Sequence, residues 1–558
     1  MLLSAIRRCR FLAGVVVYLS LSFAASAQAV HASADSHPAY RIAGTVVSKL
    51  DGTSLARTRV FLRDSRNREE LRSVVTSEDG KFAFDDVPAG KYALVGSKRG
   101  FISAAFDQHD QFATAIVTGA GLGTENLVLK LSPAASIEGT VLDESGDPVR
   151  HALVTLYRND HFQGVEQIHG AGNAQTDDLG AYEITGLMPG TYYVAASANP
   201  WYAVHPATGA DQTNSPEANA STANFDPTLD VAYPVTYYPD ATDSERATPI
   251  QFHGGERQRI DFRVAPVPAL RLLVRVPGDT SHGWSAPMLE QPVFDGLTYV
   301  QTSATMVSPG TYEVSGVPAG RYNIRIRAQD VNLEMSDVEF SKDGEQIDTS
   351  TAEPLSNVKI SVQIAGQNTF PPGTAVGLRT RSSSRATWYA VDPKGNTEAQ
   401  PIAAGKYDVQ MVGVDKLYSI SSMSADGAQV SGHTATIAAG TTASISLTAV
   451  ATGTVEIQGT AKRSSKGIAG AMVVLVPKDP ESNRDLFRRD QSDLDGTFSL
   501  RQVAPGSYTL VAIEDGWDLD WSRAEVIAPY LKRGRPIEVR GEISSPVRVK
   551  EPIEVQKK

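Results

Sequence analysis

Hydrophobic and polar positions alternate along most of this chain in short runs, and one arrangement of runs recurs. "TSEDGKFAFDDVPAGKYALVG" at 76–96 reads as turn, strand, turn, strand, and "TDDLGAYEITGLMPGTYYVAA" at 176–196 and "SDLDGTFSLRQVAPGSYTLVA" at 492–512 repeat that order. Each copy holds two glycines ten residues apart: Gly80 and Gly90, Gly180 and Gly190, Gly496 and Gly506, with weaker copies at Gly310 and Gly320 and at Gly395 and Gly405. A tyrosine follows the second glycine by two residues in every copy (Tyr92, Tyr192, Tyr322, Tyr407, Tyr508), and a branched aliphatic precedes it by three (Val87, Leu187, Val317, Ile402, Val503). The first glycine closes an acidic turn, where a short polar side chain caps its own backbone and glycine supplies positive φ. Phe82-Ala-Phe84 or Tyr182-Glu-Ile184 then alternates as a strand with one buried face. The tyrosine opens the next strand, where its ring goes inward and its hydroxyl reaches a nearby backbone group.

Each copy also has a leading half of strand, turn and strand, as in "YRIAGTVVSKLDGTSLARTRVFLRD" before the first turn pair. The pattern predicts an all-β chain, a tandem array of about five small Greek-key sandwiches with boundaries near 39–133, 134–266, 267–352, 353–450 and 451–558. A helical pattern is expected only at "SRAEVIAPYLKR", 522–533.

The motif carried by Gly139, Thr140, Val141, Pro148, Val149, Ala152, Thr176, Asp177, Gly180, Tyr182, Leu187, Pro189, Gly190 and Tyr192 resembles the carboxypeptidase regulatory-like domain. That resemblance implies a transthyretin-like or Ig-like sandwich, of a kind classed as carbohydrate-binding-like and common in exported bacterial proteins. It implies no catalytic domain, and no zinc-binding H-E-x-x-H motif is present among the ten scattered histidines.

The N-terminus changes the address. "MLLSAIRRCR" is basic, "FLAGVVVYLSLSFA" is apolar but short of a membrane span, and Ala25-Ser-Ala27 fits a signal-peptidase site, so residues 1–27 are expected to be a signal peptide. "RRCRFL" resembles a twin-arginine signal with its spacing one residue off, and ordinary Sec export fits better. The exported chain would lack the only cysteine, Cys9, and hence any disulfide or thiolate metal site. The periplasm, the cell surface and the medium are all open as destinations. The full chain has a formal charge of −11, and removal of three arginines with the signal leaves −14, which excludes nucleic acid as a natural partner. No transmembrane segment is expected after cleavage.

Candidate chemistry is sparse. Asp493-Leu-Asp495-Gly496 mimics half of a calcium loop, but the twelfth position is Ala504 rather than glutamate, so a hairpin turn is expected. Asp107, His109 and Asp110 cannot complete a coordination shell within five residues, and Lys462 and Glu514 are the only opening for a Lys-based crosslink. No catalytic residue, metal or cofactor is expected. Two stretches break the repeat. One, 199–241, carries Trp201, Tyr202 and Tyr237 around a Ser/Thr/Asn/Ala-rich centre expected to be flexible. The other, 514–531, carries Trp517 and Trp521 beside acids. These five rings are the ligand-binding candidates, since sugars stack on exposed aromatics, and the opposing expectation is that they fill seams between sandwiches. The chain reads as an exported, non-catalytic binding and spacer protein of the cell envelope, with a polysaccharide or an envelope protein as partner. The alternative is a purely structural stalk or adhesin-like scaffold with no small ligand.

Overall fold

The computed structural model describes residues 39–65, 70–119, 121–161, 164–205, 226–276, 286–327, 332–349, 352–364, 369–380, 386–413, 418–451, 455–540 and 546–558. The expected signal peptide and the 206–225 part of the interruption lie outside them.

The described chain is a series of β-sandwiches, here called units one to five. In unit one, Lys81–Val87, Tyr40–Ser48 and Leu127–Leu131 form one sheet, and Glu70–Val75, Arg59–Asp64 and Lys91–Ser97 lead the other. The alternation in "KFAF" puts Phe82 and Phe84 inward against Ile42, Val46, Leu94 and Leu129. Such alternation is what one buried sheet face requires.

Three pairings recur in every unit. The opening strand pairs antiparallel with the strand before the second glycine, as Tyr40–Ser48 does with Lys81–Val87. The tyrosine strand pairs antiparallel with the second long strand, as Lys91–Ser97 does with Arg59–Asp64. A closing strand returns parallel to the opening one, as Leu127–Leu131 does beside Tyr40–Ser48. Units three and four, whose sequence copies keep little beyond the glycines and the tyrosine, hold all three pairings. In unit five the closing strand Ile553–Lys557 touches both Ile457–Arg463 and Gly506–Glu514, stitching the two sheets together. The expected helix is present as Ala524–Leu531.

The five tyrosines are buried, and each donates its hydroxyl to the carbonyl four residues back: Tyr92 to Pro88, Tyr192 to Met188, Tyr322 to Pro318, Tyr407 to Ala403 and Tyr508 to Ala504, at 2.7–3.0 Å. Burial of the ring is satisfied without orphaning the hydroxyl.

The array does not run out as an open string. Unit one meets unit two where Ala134 N–H donates to Gly100 O. Unit two meets unit three where Phe294 packs against Tyr157, Tyr193 and Tyr237. Glu353–Pro354 pairs with the last long strand of unit three while Pro354 O accepts from Gly440 of unit four. His433 of unit four bonds Asp485 of unit five at 2.6 Å. Unit five then folds back onto units one and two, so that contact follows contact around a closed circuit.

Candidate functional site

The closure is built from the acidic turn of unit five. In units two and four the turn aspartate caps its own backbone: Asp177 accepts from Leu179 and Ala181 N–H, and Asp392 from Lys394 and Asn396 N–H, all at 2.8–2.9 Å. Asp493 holds the same place three residues before the turn glycine, but its carboxylate faces unit one. Its Oδ2 takes Lys91 Nζ at 2.5 Å and its Oδ1 takes Ala115 N–H at 3.2 Å, while Asp495 Oδ1 caps Thr497 N–H at 2.9 Å instead. Leu494 N–H donates back to Ala115 O at 3.0 Å, and the Leu494 side chain lies against the unit-one core.

The neighbouring strand Arg488–Gln491 continues the contact. Gln491 is buried, and its amide donates to Asp107 O and Thr114 Oγ1 at 2.5 and 2.8 Å. Arg489 pairs with Asp110 at 3.2 Å and lays its guanidinium over Phe112, Trp517 and Trp521. Trp517 stacks flat on His109, with ring centroids 4.9 Å apart, and donates its indole N–H to Gly470 O. Gly470 has a positive φ, and a Cβ there would fall 2.5 Å from Asp107 Oδ2.

Trp521 closes the second seam. Gly164 of unit two lies against its indole so closely that a Cβ would fall 2.3 Å from Cε2. Ser522 Oγ donates to Gly164 O at 3.1 Å and Asp520 Oδ1 accepts Glu166 N–H at 2.8 Å, with His161 Nε2 3.5 Å from the same oxygen.

Electrostatically the unit-five side is rich in acid. Burial pushes the Asp490 carboxyl up to about 7, with the Ser499 N–H opposing the rise and Asp493 adding to it. Burial also raises Asp493, against the pull of Lys91. Lys91, supplied by unit one, is the ammonium that meets this patch.

The five aromatic candidates therefore separate. Trp521 is 9% exposed and sits in a cluster with Phe487 and Ile527, and Tyr237 is 1% exposed and packed on Phe294, so neither can offer a face to a sugar. Trp517 is partly buried against His109. Trp521 and Tyr237 are seam residues rather than open platforms, each ring covered by a neighbouring unit, and Trp517 lies half-buried in the seam between units one and five. Trp201 alone is open, at 88% exposure, with Tyr202 set edge-on 5.8 Å away. The Tyr202 hydroxyl donates to Glu144, whose other oxygen takes Tyr233 OH at 2.9 Å.

Glu514 is ion-paired with Arg463 at 2.7 Å, so it is engaged with that arginine rather than with Lys462. An H-x-x-E spacing that sequence reading passed over, His253 to Glu256, is a loop in which Glu256 accepts the N–H groups of His253 and Gly254. Among the described residues no three His, Cys, Asp or Glu converge on a metal position, and no helix is long and apolar enough to cross a membrane. The use of Asp493 was also missed. Its only sequence signal is Leu494, an aliphatic residue in an acidic turn.

The family model for the carboxypeptidase regulatory-like domain matches residues 41–118 and 136–221. Two stretches of the chain match this family. A second model, the BOS complex subunit NOMO1-like second beta sandwich domain, matches 450–529, which includes Asp493, Trp517 and Trp521 of unit five. Comparison with curated proteins finds no match. Among solved structures the chain is similar to the Bacillus anthracis TIE protein, at 12% identity over 74% of each chain and a TM-score of 0.17. It is similar also to a Streptococcal ancillary pilin, at 12% identity over 56% of this chain and 98% of that one, TM-score 0.19. The shaft pilin SpaA from Lactobacillus rhamnosus GG matches at 8% over 41% and 98%, TM-score 0.19.

Proposed function

We propose that this protein is an exported, non-catalytic scaffold of the cell envelope, in which unit five closes the array into a compact body rather than leaving it a stalk. The observation that carries this reading is the return of unit five onto units one and two through residues that break the repeat's own rule. Asp493 gives up its turn-capping role, and the segment with Trp517 and Trp521 interrupts the sandwich to reach two other units. Both departures reach beyond their own sandwich, while Trp521 also packs against Phe487 and Ile527 of unit five. The residues that meet there are bound to one another and form no nucleophile–base pair.

Small-angle scattering tests the reading. A strand of eight or nine residues spans roughly 25–30 Å, so five sandwiches end to end would extend on the order of 150 Å. The closed array predicts a maximum dimension well below that, and an extended profile refutes it.

The exposed Trp201 supports a second element, a site for a polysaccharide or an envelope protein on unit two. If a polysaccharide binds there, an affinity gel containing it should retard the wild type but not Trp201→Ala, with no change in melting temperature. A wild type that no envelope polysaccharide retards leaves the scaffold without this ligand.

A further inference from the structure

We propose that the surface of unit one around Lys91, His109, Phe112 and Ala115 is also a docking site for unit five of a second copy of this chain, so that closure in one molecule and linkage between molecules are alternative uses of the same contacts. The inference rests on the closed-array reading and extends it to assembly.

The two halves of the clasp are complementary in charge and shape. Unit one presents Lys91 and Asp110, and unit five presents Asp493 and Arg489 opposite them. Trp517 lies on His109, and Gly470 leaves the room that Asp107 fills. The halves lie 402 residues apart in one chain, on its first and last units. Complementary patches at opposite ends of a molecule form a heterologous interface: it closes when the ends meet in one chain and links molecules when they do not. The contact combines ion pairs and hydrogen bonds with the Trp517–His109 stack and the Leu494 side chain, so it carries both charge and shape specificity. Within one chain the tether keeps the local concentration of unit five high, so dilute protein closes on itself, and exchange requires only that the cis contact be weakened.

The Lys91–Asp493 pair makes this testable. Its side chains are 34% and 15% exposed, so reversing one charge leaves two like charges facing each other in a poorly solvated seam. The mature chain is prepared as K91E, as D493K and as the double variant K91E/D493K, and followed by light scattering and small-angle scattering. Each single variant alone should be a monomer with an enlarged radius of gyration. The double variant should return to the wild-type radius at monomer mass, a rescue that a merely misfolded single variant would not show. In a 1:1 mixture of the two single variants, opposite charges can meet only across molecules. The altered unit one of K91E then faces the altered unit five of D493K, and the unaltered halves of the two chains face each other. That mixture should give a particle of twice the monomer mass or a longer head-to-tail series. A mixture that stays monomeric while the double variant recloses overturns the second-copy proposal and leaves the closed array standing. Single variants that keep the wild-type radius overturn both.

Discussion

Asp490 offers a pH-dependent measure of how unit five is held together. Asp490 is half-buried on the strand Arg488–Gln491, and its carboxylate accepts a hydrogen bond from Ser499 N–H at 2.6 Å. Burial raises its pKa from 3.8 to about 7. A carboxyl whose folded pKa lies above its unfolded value binds a proton more tightly in the folded state. Its contribution to stability is therefore present at low pH and is lost as pH rises through the folded value. With a folded value about three units above the unfolded one, the loss between pH 5 and pH 8 is on the order of 2–3 kcal/mol. Asp490→Asn keeps an oxygen to accept from Ser499 and cannot ionise. Urea unfolding of the wild type and this variant at pH 5, 6, 7 and 8 follows the removal of this carboxyl together with its repulsion of Asp493, all other titrating groups being common to both. The difference in unfolding free energy should shift in favour of the variant by roughly 2–3 kcal/mol across that range. A difference that stays constant with pH would show that Asp490 is ionised in the folded protein throughout, and the reasoning from burial would fail.

Tyr192→Phe removes only the bond to Met188 O and should cost about 0.5–1.5 kcal/mol in the melting of unit two, whereas Tyr192→Ala also empties the core and should cost about 3–5 kcal/mol. Equal effects of the two would contradict the corner assignment. Gly164→Ala forces a Cβ into the Trp521 ring at a positive-φ position, so it should raise the protease sensitivity of the seam between units two and five while leaving the unit-one contacts intact. Trp517→Ala should lower the melting temperature of the closed array and increase its radius of gyration. An unchanged radius would assign the ring to unit five alone.

The fold was legible because each unit writes its topology locally. Two glycines ten apart fix the turns, alternation fixes the buried face, and the tyrosine marks the strand that crosses to the second sheet. Units three and four show how little of that signal is needed. Their copies retain the glycine pair, the aliphatic and the tyrosine, yet Gly320–Arg327 and Gly405–Val412 take the same partners as the tyrosine strand of unit one. Packing tolerates many side chains at the remaining positions as long as volume and polarity alternate.

The site was legible only as an irregularity. Trp517 and Trp521 stood out because they interrupt the repeat, but exposure to ligand and burial by another unit leave the same trace in a sequence: large rings beside acids. What separates the two is the partner surface, and that surface is assembled from residues each ordinary where it stands. His109 lies in a loop, Gly164 beside a short turn, and Lys91 next to a corner tyrosine. Asp493 makes the same point from the other side. At its place in the repeat an aspartate already has a sufficient local explanation, as Asp177 and Asp392 demonstrate. Only the transfer of its capping duty to Asp495, two residues on, frees the carboxylate for Lys91. A doubled acid in a turn that needs one, with an aliphatic residue between, is thus the local mark of a turn that serves two sandwiches. Among the repeat's turns in the described residues, unit five is the one where that mark coincides with an inter-unit ion pair.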